Sequence, residues 1–89
     1  MMSITVELTY DMSKALGVRS FEVSAARTVQ DVVQSTREQF GAERAEAFEK
    51  LTRVAAVAVN GVLVNHKRGV KTPLKDGDTV TFLKAAAGG

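Results

Sequence analysis

The sequence closes on TFLKAAAGG. Gly88 and Gly89 carry no side chain, and Ala85, Ala86 and Ala87 carry one methyl each. Two readings stand side by side. The end is frayed and idle, or its thinness and the Gly89 carboxylate are what the chain works with. A carboxylate on a backbone without Cβ atoms can enter a narrow channel, where a side chain on Gly88 or Gly89 would block close approach.

The other polar groupings offer less. Asp76-Gly77-Asp78 puts two carboxylates close together. No further oxygen ligands follow at suitable spacing, so a turn is a better reading than a calcium loop. His66, Lys67, Arg68 and Lys71 form a basic stretch that reads as a solvated loop. No aromatic pattern beside it supports base stacking, and nucleic acid is not an expected partner. Asp11 and Ser13 make no triad with His66 that spacing can support. With no cysteine in the chain there is no disulfide, thiolate ligand or thiol nucleophile. Lys14, Lys50, Lys67, Lys71, Lys75 and Lys84 read as surface charges. No metal or bound cofactor is expected.

A chain of 89 residues makes one domain, burying roughly 60–65% of its unfolded surface. Apolar residues are 45% and charged residues 25% of the chain, an ordinary balance for a globular protein. The net charge of +2 is mild and does not by itself call for a polyanion. No apolar run approaches the ~20 residues of a membrane helix, so no membrane partner is expected. MMSITVELTY has no signal-peptide pattern. These features together fit a cytoplasmic protein.

The elements that must hold the chemistry are set by periodicity. Ile4, Val6, Leu8 and Tyr10 alternate with polar residues, predicting a strand over 3–10 with those four side chains buried. DMSKALG reads as a connection turning at Gly17. Phe21 and Val23 mark a strand over 18–24. Val29, Val32, Val33, Thr36 and Phe40 then fall on one helical stripe, predicting a helix over 29–40. Thr28 and Asp31 form its capping-box variant, and Gly41 its end. Ala45, Phe48 and Leu51 suggest a second helix over 42–51. Strands over 53–59 and 62–65 flank Asn60-Gly61, the dipeptide of a type I′ hairpin. Thr72-Pro73 suggests one helical turn, Lys75-Asp76-Gly77-Asp78 a turn, and Val80 with Phe82 a last strand over 79–84. The fold class is α+β: a mixed sheet of four to five strands with one main helix across it. The expected division is a folded domain over 1–84 and a flexible Ala/Gly tail over 85–89.

This order resembles the β-grasp, or ubiquitin-like, fold. The run VAVNGVLV, the basic loop and TPLKDGDTVTFLKAAAGG resemble the molybdopterin synthase small-subunit and thiamine sulfur-carrier family, whose members share a Val-Asn-Gly hairpin, a DGD-V turn and a terminal Gly-Gly. LGVRSFEVSAARTVQDVV agrees more loosely. Many small subunits of molybdopterin synthase place prolines before their last residues, where this chain has Lys84-Ala85-Ala86-Ala87. The pathway is therefore left open.

The resemblance implies a carrier that is not itself an enzyme. A carboxylate is a poor electrophile, so an E1-like adenylating partner would join Gly89 to AMP from ATP. A persulfide donor would then convert it to a thiocarboxylate. Gly88 and Ala87 would thread into the partner's active site. The six residues from Lys84 to Gly89 reach up to ~20 Å when extended. Leu83 and Thr81, facing away from the core, would help dock the body. The sulfur would pass to an acceptor such as a molybdopterin synthase large subunit, or serve thiamine, tRNA thiolation, cysteine or a secondary metabolite. A ubiquitin-like modifier joined through Gly89 to lysines, and a plain β-grasp interaction module, are the alternatives.

Overall fold

The computed structural model describes residues 3–64 and 71–84. Five strands and three helices follow in the order β1 (Ser3–Glu7), α1 (Tyr10–Leu16), β2 (Ser20–Ser24), α2 (Val29–Phe40), α3 (Ala42–Thr52), β3 (Ala55–Val59), β4 (Val62–Leu63) and β5 (Thr79–Lys84). The strands form one mixed sheet in the order β2-β1-β5-β3-β4. The last described strand thus lies in the middle. It runs parallel to β1, with Val6 opposite Val80, and antiparallel to β3, with Val57 opposite Phe82.

Alternation places Ile4, Val6, Val23, Val80 and Phe82 on the inner face, all buried. Val29 and Val32 of α2 and Phe48 of α3 complete the core. Two edge-to-face aromatic pairs tie helices to the sheet: Phe48 with Phe82 at 5.4 Å, and Phe21 with Phe40 at 5.2 Å. Such pairs add to what their buried area alone contributes. The capping box at Thr28 and Asp31 is complete. Arg37 and Glu49 join α2 to α3 by two hydrogen bonds of 3.1 and 2.8 Å. Gly41 links these helices at φ +90°, a value that favours glycine.

Three expectations are corrected. The connection after β1 contains a helix, and the first strand ends at Glu7. Thr9 Oγ1 accepts from the Met12 N–H at 3.1 Å, capping α1. Met12 and Leu16, one turn apart, bury against the core. This local cap and i,i+4 pair outweigh the two-residue alternation that had carried Tyr10 into the strand. Tyr10 is consequently 75% exposed rather than buried. Finally, Pro73 does not start a helical turn. It forms an antiparallel bridge with Thr28, and the Leu74 N–H donates to the Arg27 carbonyl at 2.8 Å. Leu74 is thereby drawn into the core, which a solvent-facing turn would not bury. Smaller shifts shorten the second and third strands to start at Ser20 and Ala55. Asn65 lies outside the described residues.

Phe48→Ala should cost about 3–5 kcal/mol of unfolding free energy in urea titrations, because it empties the α3–β5 contact. Thr9→Ala should cost about 0.5–2 kcal/mol through loss of the α1 cap. A loss at Phe48 no larger than that at Thr9 would contradict this placement of the core.

Candidate functional site

The end of β5 is the root of the stretch that carries Gly89. Ala87, Gly88 and Gly89 lie outside the described residues, as do His66, Lys67 and Arg68. What is described is how the root is held. β5 is flanked by β1 over Thr79–Thr81 and by β3 over Val80–Lys84. Lys84, its last residue, sits opposite Ala55, and Leu83 opposite Ala56. Val80 and Phe82 point into the core, while Thr81 is half-buried and Leu83 is 41% exposed on the opposite face. Thr81 Oγ1 donates to Glu7 Oε1 at 2.9 Å.

The strand registers define what shares that outer face. On the β2–β1 side it carries Ser20, Glu22, Thr5 and Glu7. On the β3–β4 side it carries Ala56, Ala58 and Leu63, continuous with Leu83. The face is therefore polar on one half and apolar on the other, with the boundary along β5. Leu63 is 65% exposed. At the end of β5 a groove of about 730 Å³ opens between Tyr10, Leu51, Val54 and Leu83. Tyr10 and Val54 are among the most exposed large apolar side chains described. Lys14 Nζ lies 5.2 Å from the Tyr10 ring centre, a cation–π contact at the rim. Leu83 and Thr81 thus face away from the core, as the alternation predicts. Tyr10 and Val54 were missed. A tyrosine continuing an alternating strand reads as core, and only the Thr9 cap signals otherwise.

The start of β5 is fixed by a clasp whose halves lie in two separate motifs. Asn60 Nδ2 donates to Asp78 Oδ1 at 2.9 Å, and the Thr79 N–H donates to Asn60 Oδ1 at 2.9 Å. Asp78 Oδ2 accepts from the Lys75 N–H at 2.8 Å. Asp76 Oδ1 accepts from the Ser3 N–H at 2.8 Å, tying the turn to β1. Asp76 and Asp78 therefore spend their oxygens on backbone and amide donors, as a structural turn requires. Among the described residues no three His, Cys, Asp or Glu side chains gather as metal ligands. No described helix is long and apolar enough to cross a membrane.

The central strand parallel to the first, the helix crossing the sheet and the β3–β4 hairpin together define a ubiquitin-like β-grasp protein. Solved structures of this class superpose over nearly the whole chain. The Haloferax volcanii HVO 2177 protein matches at a TM-score of 0.72 and 25% identity, over 99% of this chain and 87% of its own. Small archaeal modifier protein 1 from Methanosarcina acetivorans matches at 0.76 and 22%, over 100% and 98%. A complex of subunits 1 and 2 of the molybdopterin-converting factor from Helicobacter pylori matches at 0.65 and 24%, over 99% and 100%. No curated protein sequence matches significantly. The ThiS family model matches residues 10–89. The chain belongs to the ThiS family, whose members are small ubiquitin-like sulfur carriers.

The Asn60 hydrogen bond, and after it the Lys75 N–H, hold the Asp78 carboxyl below its ordinary value of 3.8. A depressed folded pKa means that the carboxylate stabilises the fold above 3.8. That contribution fades as pH falls below the ordinary value and through the depressed one. Asp78→Ala should therefore melt below the wild type at neutral pH, and the gap should narrow in acid. A gap that stays constant into the acid range in circular-dichroism melts would remove Asp78 from this role.

Proposed function

We propose that this chain is a sulfur carrier whose Gly89 carboxylate is adenylated by an E1-like enzyme and converted to a thiocarboxylate. The observation that carries this is the family match running through Gly89, on a chain whose last described strand is the middle strand of the sheet. In the activation step a Gly89 carboxylate oxygen attacks the α-phosphorus of ATP and pyrophosphate leaves. The sulfur of a persulfide then attacks the acyl carbon and displaces AMP. A thiol cleaves the resulting acyl disulfide to release the thiocarboxylate. All the ATP chemistry belongs to the partner, and the carrier supplies position. Bringing a carbonyl carbon within roughly 3–3.5 Å of its attacker requires a fixed root and a thin lead. β5 provides the root, and Ala87 and Gly88 the lead.

The body is gripped around that root. Leu83 is the shared rim of the apolar half-face and of the groove beside Tyr10 and Val54. Residues of this kind, exposed and apolar around one point, suit the buried centre of a partner interface. Thr81, tied to Glu7, sets the edge of the patch. Sulfur delivery to a molybdopterin synthase large subunit is the first destination to test. Thiamine, thiolated tRNA, cysteine and secondary metabolites follow.

The deciding measurement is the intact mass of protein incubated with its cognate activating enzyme, ATP and a persulfide donor. Exchange of one oxygen for sulfur, lost when Gly89 is deleted, is the expected result. Adducts branched through lysine would point instead to a modifier. An unmodified mass would leave only an interaction module. Leu83→Asp should lower kcat/KM in ATP–pyrophosphate exchange about tenfold, mainly through KM, while the circular-dichroism spectrum stays unchanged.

A further inference from the structure

The chain has two asparagines, Asn60 and Asn65, and only Asn60 precedes a glycine. That dipeptide is chemically labile because the glycine nitrogen is unshielded by a neighbouring Cβ. Asn60 is exposed, and no atom lies within 4 Å of the position a Cβ would take on Gly61. Yet both ends of the Asn60 carboxamide are committed to the entry of β5, at Asp78 and Thr79. Nδ2 donates to Asp78 and Oδ1 accepts from the Thr79 N–H, each at 2.9 Å. The backbone at Asn60 is held too, its N–H donating to the Thr79 carbonyl at 2.8 Å.

We propose that Asn60 is a deamidation site gated by this clasp. While Asp78 and Thr79 hold the carboxamide, its carbon is kept from the Gly61 nitrogen. When they release it, the side chain converts to a carboxylate that the clasp cannot accommodate. The reaction needs only water and base. The Gly61 amide gives its proton to solvent base, and its nitrogen bonds to Asn60 Cγ. The Cγ–Nδ2 bond breaks, and Nδ2 leaves as ammonia after taking a proton from water. Water then opens the cyclic imide at either carbonyl, leaving aspartate or isoaspartate.

The product cannot restore the starting state. A carboxylate at position 60 lacks the N–H that Asp78 Oδ1 accepts, and sets two like charges at hydrogen-bonding distance. Isoaspartate lengthens the backbone inside a two-residue turn, where Val59 and Val62 must stay paired. Either product loosens β3 from β5, the strand that carries the working terminus. The clasp therefore makes opening at this turn self-reinforcing.

The test compares wild type, Asp78→Ala and Asp78→Asn in mildly alkaline buffer, with peptide mapping of position 60 and assay of released ammonia. Asp78→Ala should deamidate about fivefold faster than wild type, as loss of one exposed hydrogen bond implies. Asp78→Asn keeps one accepting oxygen but sets an amide N–H against either Asn60 Nδ2 or the Lys75 N–H, so its rate should fall between the two. Equal rates in all three overturn the proposal. Should Asp78→Ala fail to fold, the wild type alone still decides: it should react faster in urea than in native buffer, and equal rates overturn the gate. Asn60→Asp should melt below wild type at neutral pH and recover as acid protonates one of the facing carboxyls. Wild-type stability at neutral pH would overturn the self-reinforcing step.

Discussion

The parallel pairing of β5 with β1 is the constraint on which the rest of the structure depends. Two parallel strands cannot be joined by a tight turn. Everything between Glu7 and Thr79 must therefore cross the sheet and return. In doing so it supplies α2 and α3 to cover one face, and β3 as the second neighbour of β5. A strand inserted between two that precede it in sequence forms its contacts only after both of them exist. Its entry then has to be secured. Asp76 on the Ser3 N–H and Asp78 with Asn60 on opposite flanks do this, one fastening β5 to β1 and the other to β3.

The same constraint bears on the proposed presentation of Gly89. An edge strand would leave the terminus attached to the most easily frayed part of the sheet. A central strand attaches it to the core, where Val80 and Phe82 are buried and β3 pairs with the strand as far as Lys84. Opposite Ala55, at Lys84, the inner face has no further bulky side chain to hold. Beyond that point the composition turns to alanine and glycine, which add reach without requiring space.

Much of this was legible because each signal was local. The helical stripe from Val29 to Phe40, its Thr28 cap and the Asn60-Gly61 turn each rest on a few neighbouring residues, and each appears in the fold. The outward direction of Leu83 followed from alternation against Val80 and Phe82. What was not legible required distance or competition. Asn60 and Asp78 each read correctly as a turn residue, but nothing in one motif points to the other across eighteen positions. At Tyr10 a strand pattern and a helix cap overlap, and the burial of Met12 and Leu16 decides between them. Thr72-Pro73 has the composition of a helix start, but the bridge to Thr28 is a long-range pairing.

The outer face shows how one sheet serves two needs. Its β2–β1 half is furnished with Ser, Thr and Glu, side chains comfortable in water. Its β3–β4 half is furnished with Ala and Leu, where Leu63 and Leu83 expose apolar surface and Ala58 is nearly covered. Ala56, half-buried, adds little bulk between Leu63 and Leu83, the two exposed apolar side chains of this half. Glu7 and Thr81, hydrogen-bonded to one another, stand at the dividing line. A partner matched to the apolar half is thereby confined laterally by the polar half. Reaching the end of β5, it meets Tyr10 and Val54 where the chain leaves the sheet. In the proposed carrier role, affinity and aim come from the same arrangement, because the surface proposed to hold the partner ends where the segment leading to Gly89 begins.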